Sequence, residues 1–489
     1  MAKANHNLHI VFLPYPAPGH TIPLLDTVRL FADRGIKTTV ITTPLNAPNV
    51  AKHLNITNEN KMSSDFIPNL HIIPFPSPNV TGLPAGFENQ ASFTSHLMVQ
   101  KFILAMELFK DPVEQFLGEV KPNCLVSDLF FTFSTNLAKN LGIPRLAFQV
   151  TGFFPMCVMM GLHEIRESRC ILDDDESFIV PNLPHEIRLT KSQLQKDGNI
   201  DGWGEFMGRA IMGYMKSYGD VFNTFYELEP HYVDLYRKNH NCKKAWHIGP
   251  VSLCNRKNEE QFQRGQSASI CENDCLKWLD SKPANSVVYL SFGTLTHFKA
   301  SQLREIAIAL ANVGHNFIWV VRARDKGDET ENEEWLPEGF EKRVEGKGLI
   351  IRGWAPQVMI LEHETIGAFV THCGWNSALE GFSAGVAMAT WPLHAEHFFI
   401  EKLVTQVLKI GVEIGSKDWS FGDDGTFIDH VKIENALKQI MVGEEALEMR
   451  ARAKKLKELA HNCVKEGGSS YNDLTNLIQD LANYSCKGN

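Results

Sequence analysis

Two stretches of this chain concentrate residue types able to do chemistry. The first, Tyr15-Pro16-Ala17-Pro18-Gly19-His20, is a proline- and glycine-rich turn that ends in an imidazole. A histidine at a helix start feels the positive end of the helix dipole, which disfavours imidazolium and leaves a neutral general base near neutral pH. A purely structural histidine fits the same position. Asp128 closes the short apolar run Cys124 to Ser127 and reads either as a turn or N-cap carboxylate or as a partner for that imidazole. The second stretch runs from Trp354 to His397. It holds Trp354-Ala355-Pro356-Gln357, His372-Cys373-Gly374-Trp375-Asn376-Ser377, Glu380 and Glu396-His397. Ile366 to Thr371 has the apolar character of a buried strand, and Asn376 or Ser377 then caps a helix reaching Ala384. A strand, a turn and a helix start form an anion pocket, because the first N–H groups of the helix lack partners and the macrodipole adds positive charge. Phosphate binds such a pocket without lysine, and His372 adds a donor beside it. Ser377-Ala378-Leu379-Glu380 also matches a capping box, under which both polar residues are structural. Trp354 and Trp391 are residues more often found in a core than as platforms for a flat ligand.

The elements that must position these residues are legible around them. Leu8 to Pro14 is a strand-like run, and Ile22, Leu25, Val28 and Phe31 repeat at helical spacing over Thr21 to Asp33. Gly35 ends that helix, and Lys37 to Thr42 is the next strand. In such a βαβ unit ligands lie outside the carboxyl ends of the strands, which is where His20 falls. Arg145 to Val150 is a further strand and delivers Thr151. The polar stretch Asn255 to Ser269 has linker composition. Ser286 to Phe292 then opens a second α/β series, with Gly293-Thr294 as its turn, a helix over Ser301 to Asn312, and strands at Asn316 to Arg322 and Leu349 to Arg352. Phe398 to Lys409 is amphipathic, Glu444 to Asn462 has the charge spacing of a surface helix, Gly467 to Ser470 breaks it, and Tyr471 to Asn483 is the last helix. The expected division is residues 1–251, a linker at 252–270, a second unit at 271–462 and a tail at 463–489.

Composition narrows the function. A chain of 489 residues with 44% hydrophobic and 21% charged residues supports two sizeable cores. A net charge of −9 with no basic stripe gives no reason to expect a nucleic-acid partner. No apolar run approaches the roughly 18 residues of a membrane span, and no signal-like leader is evident, so a cytosolic location is expected. The 10 cysteines are scattered. Cys271 and Cys275 lack a second pair to complete a zinc site, and reduced thiols are expected. Asp173-Asp174-Asp175 reads as a solvated acidic loop before it reads as a metal site. His394-Ala395-Glu396-His397 is not the His-Glu-x-x-His zinc pattern. No dinucleotide, Walker or nucleophile-elbow motif is present, and no metal or other cofactor is expected.

The segment from Trp354 to Glu396-His397 resembles, over its full length, the signature box of the plant family-1 UDP-glycosyltransferases. The resemblance implies an α/β fold of two facing Rossmann-like domains (GT-B type), with the site in the cleft between them and the last helix crossing back onto the first domain. It implies that Trp354 stacks on uracil, that Ala355 and Gln357 contact the base or ribose, and that Glu380 takes the ribose hydroxyls. His372, Asn376 and Ser377 would hold the diphosphate, with Thr294, and Ser291 less firmly, near it. Trp375, Glu396 and His397 would face the sugar, with Thr151 reaching it from the other side. His20 would be the catalytic base, and Asp128 would fix its tautomer. The box usually ends in glutamine; here it ends in His397, which in the family accompanies galactose and some other non-glucose donors.

The implied activity is inverting transfer of galactose or glucose from a UDP-sugar to a hydroxyl of a lipophilic plant metabolite. The Thr43 to Ala47 turn and the Phe222 to Pro250 region resemble the branch whose members act on triterpenoids, steroids and flavonoids, and a triterpenoid or steroid is placed slightly ahead of a flavonoid. Acceptor elements are expected in Pro155 to Asp220 and Pro76 to Ser95. A metal-dependent transferase using Asp173 to Asp175 and a UDP-sugar-binding protein without turnover are the competing readings; the pair His20 and Asp128 favours an enzyme. A monomer is expected.

Overall fold

The computed structural model describes residues 8–56, 67–93, 96–167, 177–195, 202–239, 243–322, 335–420 and 425–487. In chain order the strands are β1 (His9–Leu13), β2 (Lys37–Thr42), β3 (Asn69–Ile72), β4 (Cys124–Asp128), β5 (Arg145–Gln149), a small antiparallel pair β6 (Phe178–Ile179) and β7 (Arg188–Leu189), β8 (Gly219–Phe222) and β9 (Lys244–His247). The second series is β10 (Val287–Ser291), β11 (Asn316–Val321), β12 (Gly348–Arg352), β13 (Ile366–Thr371), β14 (Ala387–Thr390) and β15 (Gly411–Glu413). They form two parallel sheets, ordered β3-β2-β1-β4-β5-β8-β9 and β12-β11-β10-β13-β14-β15. β4, β10 and β13 are buried at every residue, the pattern of strands covered on both faces by helices. This is the expected architecture of two Rossmann-like units.

Strand order reverses between β1 and β4 in one sheet and between β10 and β13 in the other. At such a switch point the connecting helices leave on opposite faces and open a crevice at the strands' carboxyl ends. His20 and Asp128 follow β1 and end β4; Thr294 and His372 follow β10 and β13. The site residues therefore cluster by topology before any side-chain contact is considered.

One face of the first sheet packs Ile10, Phe12 and Phe148 against Leu24, Val28 and Phe31 of the helix Pro18–Ala32. Leu474, Leu477, Ile478 and Leu481 of the final helix, Ser469–Lys487, enter that same core. A further apolar cluster joins the two halves, with Phe153, Phe154 and Tyr232 from the first and Trp375, Phe398 and Phe399 from the second. No helix among the described residues is long and apolar enough to cross a membrane.

Two expectations need correcting here. The stretch 255–269 is not a solvated tether: it contains a helix, Asn258–Gln263, and Asn255 and Gln261 are buried. These two buried amides are satisfied inside, with Asn255 Nδ2 donating to Asp26 Oδ1 at 3.0 Å and Gln261 Nε2 to Glu362 Oε2 at 2.8 Å. The amphipathic run after His397 is α-helical only over His397–Lys402, then widens into a π-turn at Leu403–Val407. Asp173 to Asp175 lie outside the described residues.

Candidate active site

The first helix begins at Pro18, where proline's missing N–H costs nothing, and His20 stands in its first turn. Its Nδ1 lies 2.7 Å from Asp128 Oδ2. Asp128 Oδ1 accepts the Phe130 N–H at 3.0 Å. Arg145 Nη2 donates to the Asp128 carbonyl at 2.9 Å, and its Nε to Ser127 Oγ at 2.9 Å. The carboxylate is thus held by the turn after β4 and its backbone by Arg145 of β5, and it fixes the imidazole in turn. A bond from Nδ1–H to a carboxylate leaves Nε2 as the basic nitrogen. Asp128 is the partner of His20, and of its two readings the solitary turn carboxylate falls.

Burial depresses the His20 pKa, but the charge of Asp128, its hydrogen bond and the charge of Glu396 outweigh burial and raise it. The helix-end effect expected from sequence does not set the direction; the carboxylates do. Glu396 shows the reciprocal influence, its carboxyl raised by burial and pulled back by its own backbone N–H and by the charge of His20. Tyr15 and Phe130 flank the imidazole at centroid distances of 5.3 and 5.4 Å, and Phe102 and Phe206 extend that aromatic wall.

In the second half, Cys373 turns the chain with φ +67, and the helix Trp375–Ala384 starts at once with Gly374 as its N-cap. No side chain caps it, so its first N–H groups have no intrahelical partner. The capping-box reading is therefore overturned. Ser377 is already inside the first turn, where its Oγ accepts from Gln357 Nε2 at 3.1 Å, and Glu380 is free of any capping duty. Gln357 Nε2 also donates to Glu380 Oε2 at 2.7 Å, and Tyr289 OH donates to Gln357 Oε1 at 3.2 Å. His372 lies beneath both loops: a Cβ at Gly293 or at Gly374 would overlap its ring. Burial and the neighbouring His394 push the His372 pKa down to about 3, so it offers a neutral N–H. Thr294 is half-buried beside it.

The two halves meet at the site itself. Asn376 Nδ2 donates to the carbonyl of Gly19, the residue before His20, at 2.6 Å. Asn223 Nδ2 donates to Asn376 Oδ1 at 3.2 Å, and Trp375 Nε1 donates to the Asn223 carbonyl at 2.8 Å. The imidazole and the unpaired helix start therefore confront each other across one gap. Trp375 is 2% exposed and its ring tip lies against Gly152, so the indole seals the interface between the halves.

Thr151 Oγ1 is buried without a partner among the described residues. His397 is buried, its ring 4.8 Å from that of His372 and 4.5 Å from that of His394. Its Nδ1 accepts the His394 N–H at 3.3 Å, which puts the single proton of the neutral ring on Nε2. Glu396 is half-buried beside it, Ala355 is buried, and Trp354 is half-buried, tied to the linker by paired bonds with Ser269 at 2.8 and 3.0 Å. Of the residues singled out from sequence, the structure joins His20 to Asp128, Asn376 to the residue before His20, and Gln357 to Ser377 and Glu380. Sequence reading missed Asn223, Tyr289 and Arg264. Arg264 Nη1 donates to Glu380 Oε1 at 2.6 Å. Nothing in its own neighbourhood marks it, since it is one charge among many in a polar stretch.

A family model described as UDP-glucoronosyl and UDP-glucosyl transferase matches residues 265–441. UDP-glucosyl transferase 73M2 of Saponaria officinalis is 55% identical, covering 98% of each chain. Scopoletin glucosyltransferase of Nicotiana tabacum is 46% identical over 98% of this chain and 99% of its own. The crystal structure of Glycyrrhiza uralensis UGT73P12 complexed with glycyrrhetinic acid 3-O-monoglucuronide aligns with a TM-score of 0.88 and 37% identity, covering 98% of this chain and 97% of that one.

Proposed function

The chain belongs to the plant family-1 UDP-glycosyltransferases, inverting enzymes of the GT-B fold, and from that premise we propose that it moves glucose or galactose from the UDP-sugar to a hydroxyl of a lipophilic metabolite, a triterpenoid or steroid ahead of a flavonoid. The observation that carries this is the placement of the Asp128-held imidazole opposite the uncapped start of the helix Trp375–Ala384. His20 Nε2 takes the acceptor proton as the oxygen attacks the anomeric carbon. Diphosphate departs from the opposite face of the sugar, toward the helix start, where backbone N–H groups of the first turn, the Ser377 hydroxyl and the neutral His372 meet its growing charge. Those donors supply the stabilisation a cation would otherwise give, so the chemistry recruits no metal. One displacement converts an α-linked donor to a β-glycoside.

The donor lies along the second sheet's crevice. Uracil rests on Trp354 with Ala355 beside it, Gln357 and Glu380 take the ribose, and Thr294, His372, Asn376 and Ser377 take the diphosphate. The sugar meets Thr151, whose buried hydroxyl has no partner among the described residues, together with Trp375, Glu396 and His397. Where the family commonly has a carboxamide, His397 presents one N–H donor from Nε2 and no acceptor, which alters how the sugar's 4-hydroxyl is read. The acceptor preference draws support from the aromatic wall around His20 and from the triterpenoid glucuronide in the Glycyrrhiza uralensis structure.

The test is a donor-by-acceptor screen: UDP-glucose and UDP-galactose, each against triterpenoid, steroid and flavonoid alcohols, with the wild type and His397→Gln. The exchange is expected to shift the galactose-to-glucose ratio of kcat/KM toward glucose by about tenfold, the effect of one hydrogen bond. An unchanged ratio refutes the assignment of His397, and faster turnover of flavonoids refutes the acceptor preference.

A further inference from the structure

Arg264 stands where the connecting segment, the first half and the second half meet. It follows the helix Asn258–Gln263, and its side chain is 9% exposed. Its Nε donates to Asp26 Oδ2 at 2.8 Å and its Nη1 to Glu380 Oε1 at 2.6 Å. Asp26 belongs to the first helix and is fully buried. Its other oxygen accepts from His53 Nε2 at 2.9 Å and Asn255 Nδ2 at 3.0 Å. His53 Nδ1 accepts the Gly265 N–H at 3.3 Å, so its proton lies on Nε2. Burial alone would raise the Asp26 pKa; the Arg264 charge, with His53 and Asn255, holds it far below the usual carboxylate range. One guanidinium therefore joins two nearly desolvated carboxylates, one from each half of the molecule.

The geometry at Glu380 matters as much. Oε1 is taken by Arg264 and Oε2 by Gln357, yet two carboxylate oxygens offer about four acceptor sites, which leaves two for a ligand. Two donors from the protein side fix the plane of the carboxylate and so dictate where the remaining lone pairs point. The next residue is constrained too. Gly265 has φ +84, and a Cβ there would overlap the Trp354 indole and crowd Ile22. The chain passes hard against Trp354 at the same step that delivers Arg264.

We propose that Arg264 is a positioning residue for the donor's ribose: it aims Glu380 at the vicinal 2′- and 3′-hydroxyls and, through Asp26, ties nucleoside recognition to the seating of the first half on the second. The inference rests on Glu380 being the ribose acceptor, as proposed above. A planar fork suits this task because its N–H bonds diverge to two carboxylates at fixed angles, which an ammonium does not reproduce.

The test uses the full chain and calorimetric titration with UDP and with 2′-deoxy-UDP, which differ only in one hydroxyl. The wild type is expected to favour UDP by about tenfold or more, as a hydrogen bond to a charged group gives. In Arg264→Gln that preference should collapse to about twofold or less, with UDP affinity falling about tenfold and the acceptor KM changing less than about twofold. Arg264→Lys, which keeps the buried charge and so protects the fold, should retain an intermediate preference. A merely structural arginine would weaken both nucleotides equally; an unchanged preference in Arg264→Gln, or in Arg264→Lys if the first variant does not fold, overturns the proposal. Glu380→Gln separates the two levels of the argument. If it too leaves the preference intact, the ribose assignment of Glu380 fails; if it abolishes the preference while the Arg264 variants keep it, only the positioning role fails.

Discussion

Replacing Asp128 by asparagine exchanges one carboxylate oxygen for an NH₂ group and should disable the base. The carboxamide oxygen is held at the Oδ1 position by the Phe130 N–H at 3.0 Å, so the new NH₂ takes the Oδ2 position, 2.7 Å from His20 Nδ1. A donor there requires a lone pair on Nδ1, and the imidazole proton moves to Nε2, the nitrogen that must accept from the substrate. Losing a general base costs about 10² to 10⁴-fold in kcat. The pH profile makes the argument more discriminating. His20 must be neutral to act, so kcat/KM climbs with pH through its pKa. That pKa is raised because Asp128, by charge and hydrogen bond, and Glu396, by charge, together overcome burial. Removing Asp128 leaves burial opposed by Glu396 alone, and the acid limb should move to lower pH even as the plateau drops. Initial rates of UDP release from pH 5 to 9, with an aliphatic alcohol as acceptor so that only the enzyme titrates, read both quantities. Wild-type turnover in Asp128→Asn, or an acid limb that stays in place or moves upward, refutes the reasoning.

Two further expectations follow from packing. Gly152→Ala places a methyl inside the Trp375 ring and against Glu229 Oε1, so either the ring or the whole second half must shift away from the first. The kcat should fall about tenfold or more while UDP affinity, a property of the second half, stays within about threefold; an equal loss of both would contradict this. Leu477→Ala removes a fully buried side chain from the core that the last helix shares with β1, at a cost of about 2 to 5 kcal/mol. Its urea midpoint should drop with nucleotide affinity intact, and an unchanged midpoint would mean the helix contributes little.

What the sequence disclosed follows the range of the forces involved. β1, β4, β10 and β13 are apolar along their length because helices cover both faces, so each announces itself locally, and the helix stripes of the first βαβ unit do the same. β14 and β15, with four and three residues, are too short for any period to register, and they went unread. His20 and Asp128 were legible because a strand end is a local feature and topology does the rest. Ser377 and Glu380 were legible as a pair but open to a capping role; the tight turn at Cys373 starts the helix at Trp375 and moves both residues inward.

Asn223, Tyr289 and Arg264 belong to a different category. Each acts on a residue far along the chain: Asn223 on Asn376, Tyr289 on Gln357, Arg264 on Glu380. Their roles exist only once distant parts of the chain have packed, across the two halves for Asn223 and within the second half for Tyr289, and no local pattern of charge or hydropathy encodes that packing. The polar composition of residues 255–269 pointed toward solvent because composition counts charges without their partners. Arg256, Lys257 and Glu259 do stay exposed, but the nearly buried Arg264 side chain finds its complements on other elements, between Asp26 and Glu380. A segment that reads as a tether thus becomes the clasp that sets a binding carboxylate, because the energy of a buried ion pair depends on what lies opposite it in space and only incidentally on its neighbours in sequence.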